Sequence, residues 1–536
     1  MAVTPRPRQA SVLIAGAGPT GLVLAAELGR RGVSCVLVDP REAVDDRPKA
    51  QLANIRTMEH FRRLGLADEV RAQAPLPPDF PYDVAFVECL LGREITRFPS
   101  GGVDALRSVS IFSEPPQRVP QHVVERVLRD HVCTLPSVQT RYGWRLEDYA
   151  EADGGVIAHL VDGETGRRET VGVPWLVGCD GTRSTVREIA GIGLSGSPAH
   201  EMQLGVFFEA PTLWEMHDKG KAIMYWVLHP RWAGLLGPVD TGSRWWFQLV
   251  GLPKETDLAA IDVDAVLHEV VGAPFPHTIV GIQPWEAPSL LADRYRAGRV
   301  FLAGDAAHHH PPAGGYGMNA GIGDAVDLGW KLAAVDAGWG DPALLDTYEL
   351  ERRPFAERIV AEAKANSSAM RSTLKSAGQN GGPPGADEVR TTTAKEFRSI
   401  GMQLGFGYDE SPIVEPDGTD APPFDIGRYT PTARPGSRLP HAWLPDGSSL
   451  FDHLGDGFTL LSVGSNGDGG RMLLHAAAEA AVPMKAVHLE HVGRELFDAD
   501  FVLVRPDQHV AWRGDTTPAD PARLLARVRG GAVSVT

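Results

Sequence analysis

The chain has 536 residues, 43% of them hydrophobic and 22% charged, with a formal net charge of −16. That length suggests two to four domains, and no apolar stretch is long enough to span a bilayer. The acidic balance argues against a nucleic-acid partner, which would need clustered Lys and Arg, so small molecules are the expected ligands.

In chain order, residues 11–15 read as a short buried strand and 20–31 as an apolar-faced helix, separated by the turn Gly16, Ala17, Gly18, Pro19. A second apolar strand over 34–38 ends on Asp39. Strand, glycine turn, helix, strand and terminal acid are the ordered parts of a dinucleotide site. Gly16 permits the tight turn, Gly18 lets the backbone approach a pyrophosphate, Gly21 lets the helix lie close on the strand, and Asp39 can accept from a ribose. A ligand-free glycine turn and a secretory signal built on Arg6, Arg8 and the apolar run 12–26 compete with this reading. Neither accounts for three glycines at these spacings followed by a strand ending in an acid.

Pro75, Pro77 and Pro78 punctuate the chain after 49–64 and start a loop. Residues 121–132 carry Val123, Val127 and Val132 at helical spacing, and 156–161 alternate like a strand. Between 204 and 250 the chain is rich in aromatic and β-branched residues, among them Trp214, Trp226, Trp232, Trp245 and Trp246, and reads as an antiparallel sheet. Those Trp side chains suit either a core or the wall of an aromatic-substrate site. Residues 341–370 read as a long charged helix whose Glu349, Glu351, Arg352 and Arg353 make a solvated, ion-paired face. Residues 378–385 read as a loop and 412–440 as a Pro- and Gly-rich connector; from 456 a strand, a helix and three further strands suggest a small α/β unit.

Two more turns repeat the first pattern. The strand before Gly178 and Cys179 runs into Asp180 and Gly181, and an apolar strand delivers Gly304 and Asp305 to the carboxyl edge of a sheet. Pro312, Gly314, Gly315, Gly317, Met318 and Asn319 then feed a helix N-terminus, where partial positive charge suits an anion such as a reduced flavin. The His308, His309, His310 triplet lacks partners at metal-ligand spacing and reads as loop architecture, so no metal is assigned. Cys35, Cys89, Cys133 and Cys179 are dispersed, which argues against a disulfide framework or a structural zinc and for a reducing cytoplasm.

With its three motifs in this order, the chain resembles the class A FAD-dependent aromatic monooxygenases, the para-hydroxybenzoate-hydroxylase-like enzymes, over nearly its whole length. The segments 54–59, 314–319, 434–444 and 504–507 look like the dichlorophenol-hydroxylase branch, which includes hydroxylases of aromatic polyketide and indolocarbazole antibiotic pathways. The resemblance implies an α/β fold: a Rossmann-like FAD-binding domain over 1–75, 100–195 and 285–372, and an inserted, mainly antiparallel substrate sheet over 76–99 and 196–284. A connector over 373–455 and a thioredoxin-like domain over 456–536, without Cys-x-x-Cys, would follow.

By the same resemblance Gly16, Gly18, Gly21 and Asp39 hold the ADP half of FAD, and Gln121 contacts FAD at a helix start. Gly304 and Asp305 hold the ribityl chain, Asp180 and Gly181 belong to a motif used for both FAD and NAD(P)H, and 312–319 face the isoalloxazine. Lys49 stands where the family often has Arg, a point charge in place of a planar fork. The relatives' acid near the position of Gln51 is missing, so no residue is assigned to deprotonate a phenol. The implied activity is hydroxylation of a phenolic or polyketide-type aromatic with NAD(P)H and O2, through a C4a-hydroperoxyflavin, in secondary metabolism. Baeyer–Villiger insertion, oxidative decarboxylation and non-catalytic sequestration of flavin or drug are the alternatives, and self-association is left open.

Overall fold

A computed structural model describes residues 10–47, 49–99, 110–152, 154–379, 384–464 and 470–531. Its centre is a six-stranded sheet in the order Arg296–Ala297, Val300–Leu302, Trp175–Gly178, Val12–Ala15, Cys35–Asp39, Val138–Tyr142. All pairings are parallel except that of the short edge strand Arg296–Ala297. The strands Val12–Ala15, Cys35–Asp39, Trp175–Gly178 and Val300–Leu302 are buried along their whole length, as expected of parallel strands covered on both faces. The helices Pro19–Gly29 and Gly317–Asp336 pack so closely that a Cβ on Gly329 would stand 2.7 Å from that of Glu27.

The second sheet has seven strands in the order Thr278–Glu286, Glu201–Glu209, Arg244–Pro253, Gly234–Pro238, Met224–Val227, Val84–Val87, Glu94–Phe98. It is antiparallel save for one pairing, Met224–Val227 with Val84–Val87. Side-chain alternation separates its two faces. Tyr225, Trp245, Phe247 and Leu249 share a core with Val266, Leu267 and Val270 of the helix Val263–Val271. On the opposite face Val84, Phe86 and Trp226 pack with Met370 and Val389, from the helices Thr347–Gln379 and Ala386–Phe397.

The C-terminal unit is a four-stranded sheet, Met484–Leu489, Phe458–Val463, Phe501–Val504, Val510–Gly514, with the helices Arg471–Glu479 and Pro521–Val528. One parallel and two antiparallel pairings make it thioredoxin-like, and no cysteine lies in it. Ala433, Leu439, Leu450 and Phe451 share a core with Leu461 and Val502, so chain ahead of the sheet is packed onto it.

One sequence expectation fails here. Asp341 caps a short 3-10 turn, Pro342–Asp346, and the long helix starts at Thr347. Its Glu351 and Arg352 face inward, only 2% and 5% exposed. Arg505 reaches from the C-terminal unit to both Glu351 carboxylate oxygens at 2.6 and 2.8 Å and to Asp507 at 2.6 Å, while Lys331 bonds Asp327 and Glu351 at 2.7 and 2.6 Å. Burial raises Glu351, but Arg505 and Lys331 outweigh it and hold the carboxyl below its ordinary range. Charge pattern along one helix could not show this, because the counter-ion Arg505 lies 154 residues away.

Candidate functional site

The parallel sheet brings the three sequence motifs together. The strands ending at Ala15, Asp39, Gly178 and Leu302 are neighbours and point the same way, so the turns that follow them share one carboxyl edge. Such an edge is where open α/β sheets bind ligands.

Gly16 has φ +105°, and a Cβ there would stand 2.2 Å from the Cys179 carbonyl oxygen, so the first and second motifs interlock through backbone. Gly18 caps the helix Pro19–Gly29, and a Cβ on it would meet nothing within 4 Å. The space before this helix N-terminus is open, and the N–H groups of the first turn face it. Gly21 sits against the Gly16 carbonyl, where any side chain would collide.

Asp39 is buried. Its Oδ2 accepts from the Ala17 N–H at 2.7 Å and its Oδ1 from the N–H and Nε of Arg41 at 2.8 and 3.0 Å. Arg41 also pairs with Glu125, which accepts from Gln121 Nε2 at 2.8 Å. The Gln121 N–H bonds Ala50, so the start of the helix Gln121–Cys133 is tied to the rim of the edge. Sequence reading chose Asp39 and Gln121 and missed the Arg41 and Glu125 that join them. Lys49 is exposed and pairs with Asp45 at 3.4 Å.

Asp180 Oδ2 accepts from the Val186 N–H at 3.0 Å, while its Oδ1 is buried without a partner; burial raises this carboxyl above its ordinary range. Gly181 follows with φ +82°. Gly304 starts the 3-10 turn Gly304–Ala306, in which Asp305 is exposed between buried neighbours. No described residue donates to the Asp305 carboxylate; only its backbone carbonyl is engaged, by His309 Nε2 at 2.7 Å.

The turn is braced from behind by the fully buried Asp324. This carboxylate accepts from the Gly304 N–H at 3.0 Å, His308 Nε2 at 3.0 Å and Arg352 Nε at 2.8 Å. Burial raises its pKa, but Arg352 and His308 prevail and hold it ionised. His310 Nδ1 bonds the Pro311 carbonyl at 2.9 Å. The three histidines thus have three separate partners, consistent with loop architecture.

Pro312 is exposed and its carbonyl accepts from the Gly315 N–H at 2.8 Å. Gly314 and Gly315 both have positive φ, and Gly317 opens the helix Gly317–Asp336. Met318 points into the core. Asn319 is 8% exposed and its amide is fully engaged: Oδ1 accepts from the Asn54 N–H at 2.9 Å, and Nδ2 donates to Leu52 and Gly315 carbonyls at 2.9 and 2.7 Å. Met318 and Asn319 anchor this loop to the core and to Leu52, Asn54 and Gly315.

Glu396, on the helix Ala386–Phe397, stands beside this loop. Burial pushes its carboxyl up to about 7 against the opposing hydrogen bond from the Gly314 N–H. A carboxyl poised near neutrality is suited to proton transfer. The adjacent Phe397 packs on Phe86 and Phe98 of the substrate sheet at 6.1 and 5.2 Å. No motif marks Glu396, since its shift comes from packing alone. A cavity lies behind Tyr316 and Ala320, lined by Arg352, Phe406 and Tyr408. It borders the buried ion pairs and reaches the motif loop at Asn319.

An open helix N-terminus, an unpaired acid on the next turn but one, and a backbone-lined loop beneath an aromatic sheet define a flavin-dinucleotide site in an oxygenase-type fold. Comparison with known proteins agrees. A family model described as FAD binding domain matches residues 9–363, and one described as aromatic-ring hydroxylase, C-terminal, matches 432–532. Aklavinone 12-hydroxylase RdmE of Streptomyces purpurascens is 34% identical over 554 residues, covering 97% of this chain and 98% of that protein. The 2,4-dichlorophenol 6-monooxygenase of Cupriavidus pinatubonensis is 30% identical over 596 residues, covering 98% of each. Among solved structures, chromopyrrolic acid-soaked RebC with bound 7-carboxy-K252c has a TM-score of 0.88 at 34% identity, covering 98% of this chain and 100% of that one. The chain belongs to the FAD-dependent aromatic-ring hydroxylases, and it is an FAD-dependent enzyme of the monooxygenase class. Among the described residues no helix is long and apolar enough to cross a membrane.

Proposed function

We propose that the enzyme uses NAD(P)H and O2 to hydroxylate a planar phenolic or polyketide-type aromatic, held between the 312–317 loop and the substrate sheet. The observation that carries this reading is the convergence of four strand ends on one sheet edge, with an open helix N-terminus at Gly18 and an unpaired Asp305. An open N-terminus with inward N–H groups fits a pyrophosphate, and an acceptor without protein partners fits the hydroxyls of a ribityl chain. In this reading Gly16, Gly18 and Gly21 shape the ADP end, while Asp39 and Gln121 order its rim through Arg41 and Glu125. Lys49 lies at the exposed margin, Asp180 and Gly181 close the edge, and Gly304 and Asp305 hold the ribityl chain. The loop from Pro312 through Gly314, Gly315 and Gly317, positioned by Met318 and Asn319, would face the isoalloxazine ring.

Bound FAD would supply hydride acceptance from NAD(P)H and oxygen activation. The protein supplies placement and environment. The N–H groups at the start of the helix Gly317–Asp336 would favour negative charge on a flavin held there. Trp246 presents apolar surface beside Arg118, and the packed core of Phe86 and Trp226 behind the same face excludes water. Glu396, beside the 312–317 loop and ionised above about pH 7, is the candidate base for a phenol proton.

FAD-loaded protein should oxidise NAD(P)H faster when offered phenols, naphthoquinones or tetracyclic polyketides, with product heavier by one oxygen in mass spectra. No stimulation and no oxygenated product with any of them would refute the hydroxylase reading. Peroxide released in step with substrate loss would identify an oxidase instead.

A further inference from the structure

Among the described residues, the buried Arg438, Arg352 and Arg505 are matched to acids, and the buried Arg129 and Arg187 each donate to two backbone carbonyls. Arg118 has neither. It is 7% exposed, yet among the described residues its side chain has one hydrogen-bond partner, the neutral Gln51 Oε1 at 2.6 Å, and no carboxylate. Burial pushes the guanidinium down to about 10, opposed only by the Tyr82 hydroxyl. A buried cation without a counter-ion is strongly unfavourable unless a ligand supplies the anion.

The position of Arg118 indicates which ligand. Its strand Gln117–Arg118 pairs with Leu52–Ala53, which Asn319 ties to the 312–317 loop, so its backbone belongs to the cofactor side. Its guanidinium carbon lies 5.9 Å from the ring centre of Trp246 on the substrate sheet. On that strand Trp245, Phe247 and Leu249 fill the core beneath, so alternation puts Trp246 and Gln248 on the opposite face of the sheet. The Trp246 Nε1 and Gln248 Nε2 are buried donors without partners. A cation and an orphaned indole donor lie side by side, with the orphaned Gln248 amide two residues along the same strand face, and a ligand oxygen bearing negative charge would satisfy such donors.

We propose that Arg118, Trp246 and Gln248 form a subsite for an anionic oxygen on the aromatic substrate, a ring carboxylate or an ionised phenol, and make the enzyme selective for acidic aromatics. This deepens the hydroxylase reading and rests on it for the bound molecule being a substrate. A carboxylate would meet the planar guanidinium fork in two parallel N–H bonds; a phenolate would share one oxygen among the guanidinium, the indole and the amide.

The test titrates FAD-loaded wild type, Arg118→Gln and Gln248→Leu with 3-hydroxy-2-naphthoate, its methyl ester and 2-naphthol, following the visible flavin spectrum. Wild type should bind the acid about tenfold or more tighter than the ester, and Arg118→Gln should abolish that difference while holding ester affinity within about twofold. If the anion is a phenolate, 2-naphthol should instead bind wild type more tightly as pH rises through the naphthol's own ionisation, and Arg118→Gln should remove that dependence. Gln248→Leu should weaken the acid or the ionised naphthol selectively, which keeps the test decisive if Arg118→Gln does not fold. Wild type that prefers neither anion, or binds no probe, overturns the proposal. So does equal weakening of acid and ester in the variants. The titration needs no NAD(P)H, so an intact acid preference without turnover would sink the hydroxylase reading alone, and turnover without the preference would sink the subsite alone.

Discussion

The cofactor edge and the cleft face of the substrate sheet are built on opposite principles. At the edge, recognition is carried mainly by backbone, glycine turns and helix N-termini, with the unpaired Asp305 and Asp180 Oδ1 as its free acceptors. Asp39, Asp324 and Asn319 are each saturated by protein donors or acceptors. On the cleft face the reverse holds, with Trp226, Trp246 and Gln248 leaving buried N–H groups unpaired. A backbone-lined edge is rigid before its ligand arrives, which suits one fixed cofactor. A face with orphaned donors is complementary only to a ligand that brings acceptors, which is how a site discriminates among similar rings.

Glu27→Gln should test the edge most severely. Glu27 is fully buried and accepts from Arg31 and Arg63. Burial raises its carboxyl, but Arg63 and Arg31 outweigh this and lower it from 4.5 to about 2. Leaving those arginines unpaired should cost about 3–5 kcal/mol in urea unfolding at pH 7. Because the folded pKa is depressed, that stability is present above about pH 4.5 and fades as pH falls through about 2. The gap between wild type and variant should close over that window, and a pH-independent gap would count against the ion pair.

Gly16→Ala should cost about 3 kcal/mol, since a Cβ there collides with the Cys179 carbonyl at a positive φ. A melting temperature unchanged in the variant would show that the two motifs are not interlocked. Glu396→Gln should lower kcat/KM about a hundredfold above pH 7 and remove the rise through about 7 that wild type shows. A variant retaining the wild-type pH profile would dismiss Glu396 as the base.

Asp305→Ala should weaken FAD about tenfold, read from flavin absorbance of the purified protein, with little change in melting. Retained stoichiometric flavin would refute its role. The smallest effect belongs to the cleft: Gln248→Leu should raise ligand-free stability by about 1 kcal/mol, because an orphaned donor is removed, and should leave FAD content unchanged. Destabilisation there would mean that Gln248 serves the fold rather than a ligand.

Legibility followed the same division. Gly16, Gly18, Gly304 and Asp305 stand in short motifs because backbone geometry is local: a tight turn must be written in the residues that make it. Arg118, Glu396 and Arg505 carry no such mark. Arg118 is distinctive only because Trp246, 128 positions on, packs over it with no acid nearby. Glu351 and Arg352 look like an ion-paired surface when their helix is read alone, and become buried once Arg505 of the C-terminal unit and Asp324 of a neighbouring helix pack on them.

The sequence by itself determined the order of strands, glycine turns and helices, and with it the cofactor class and the α/β architecture. Tertiary structure alone decided which charges are paired, which donors are left over and which carboxyl titrates near neutrality. Local turns depend on φ and ψ, which neighbouring residues set, whereas pairing and desolvation depend on residues from separate elements that only packing brings together.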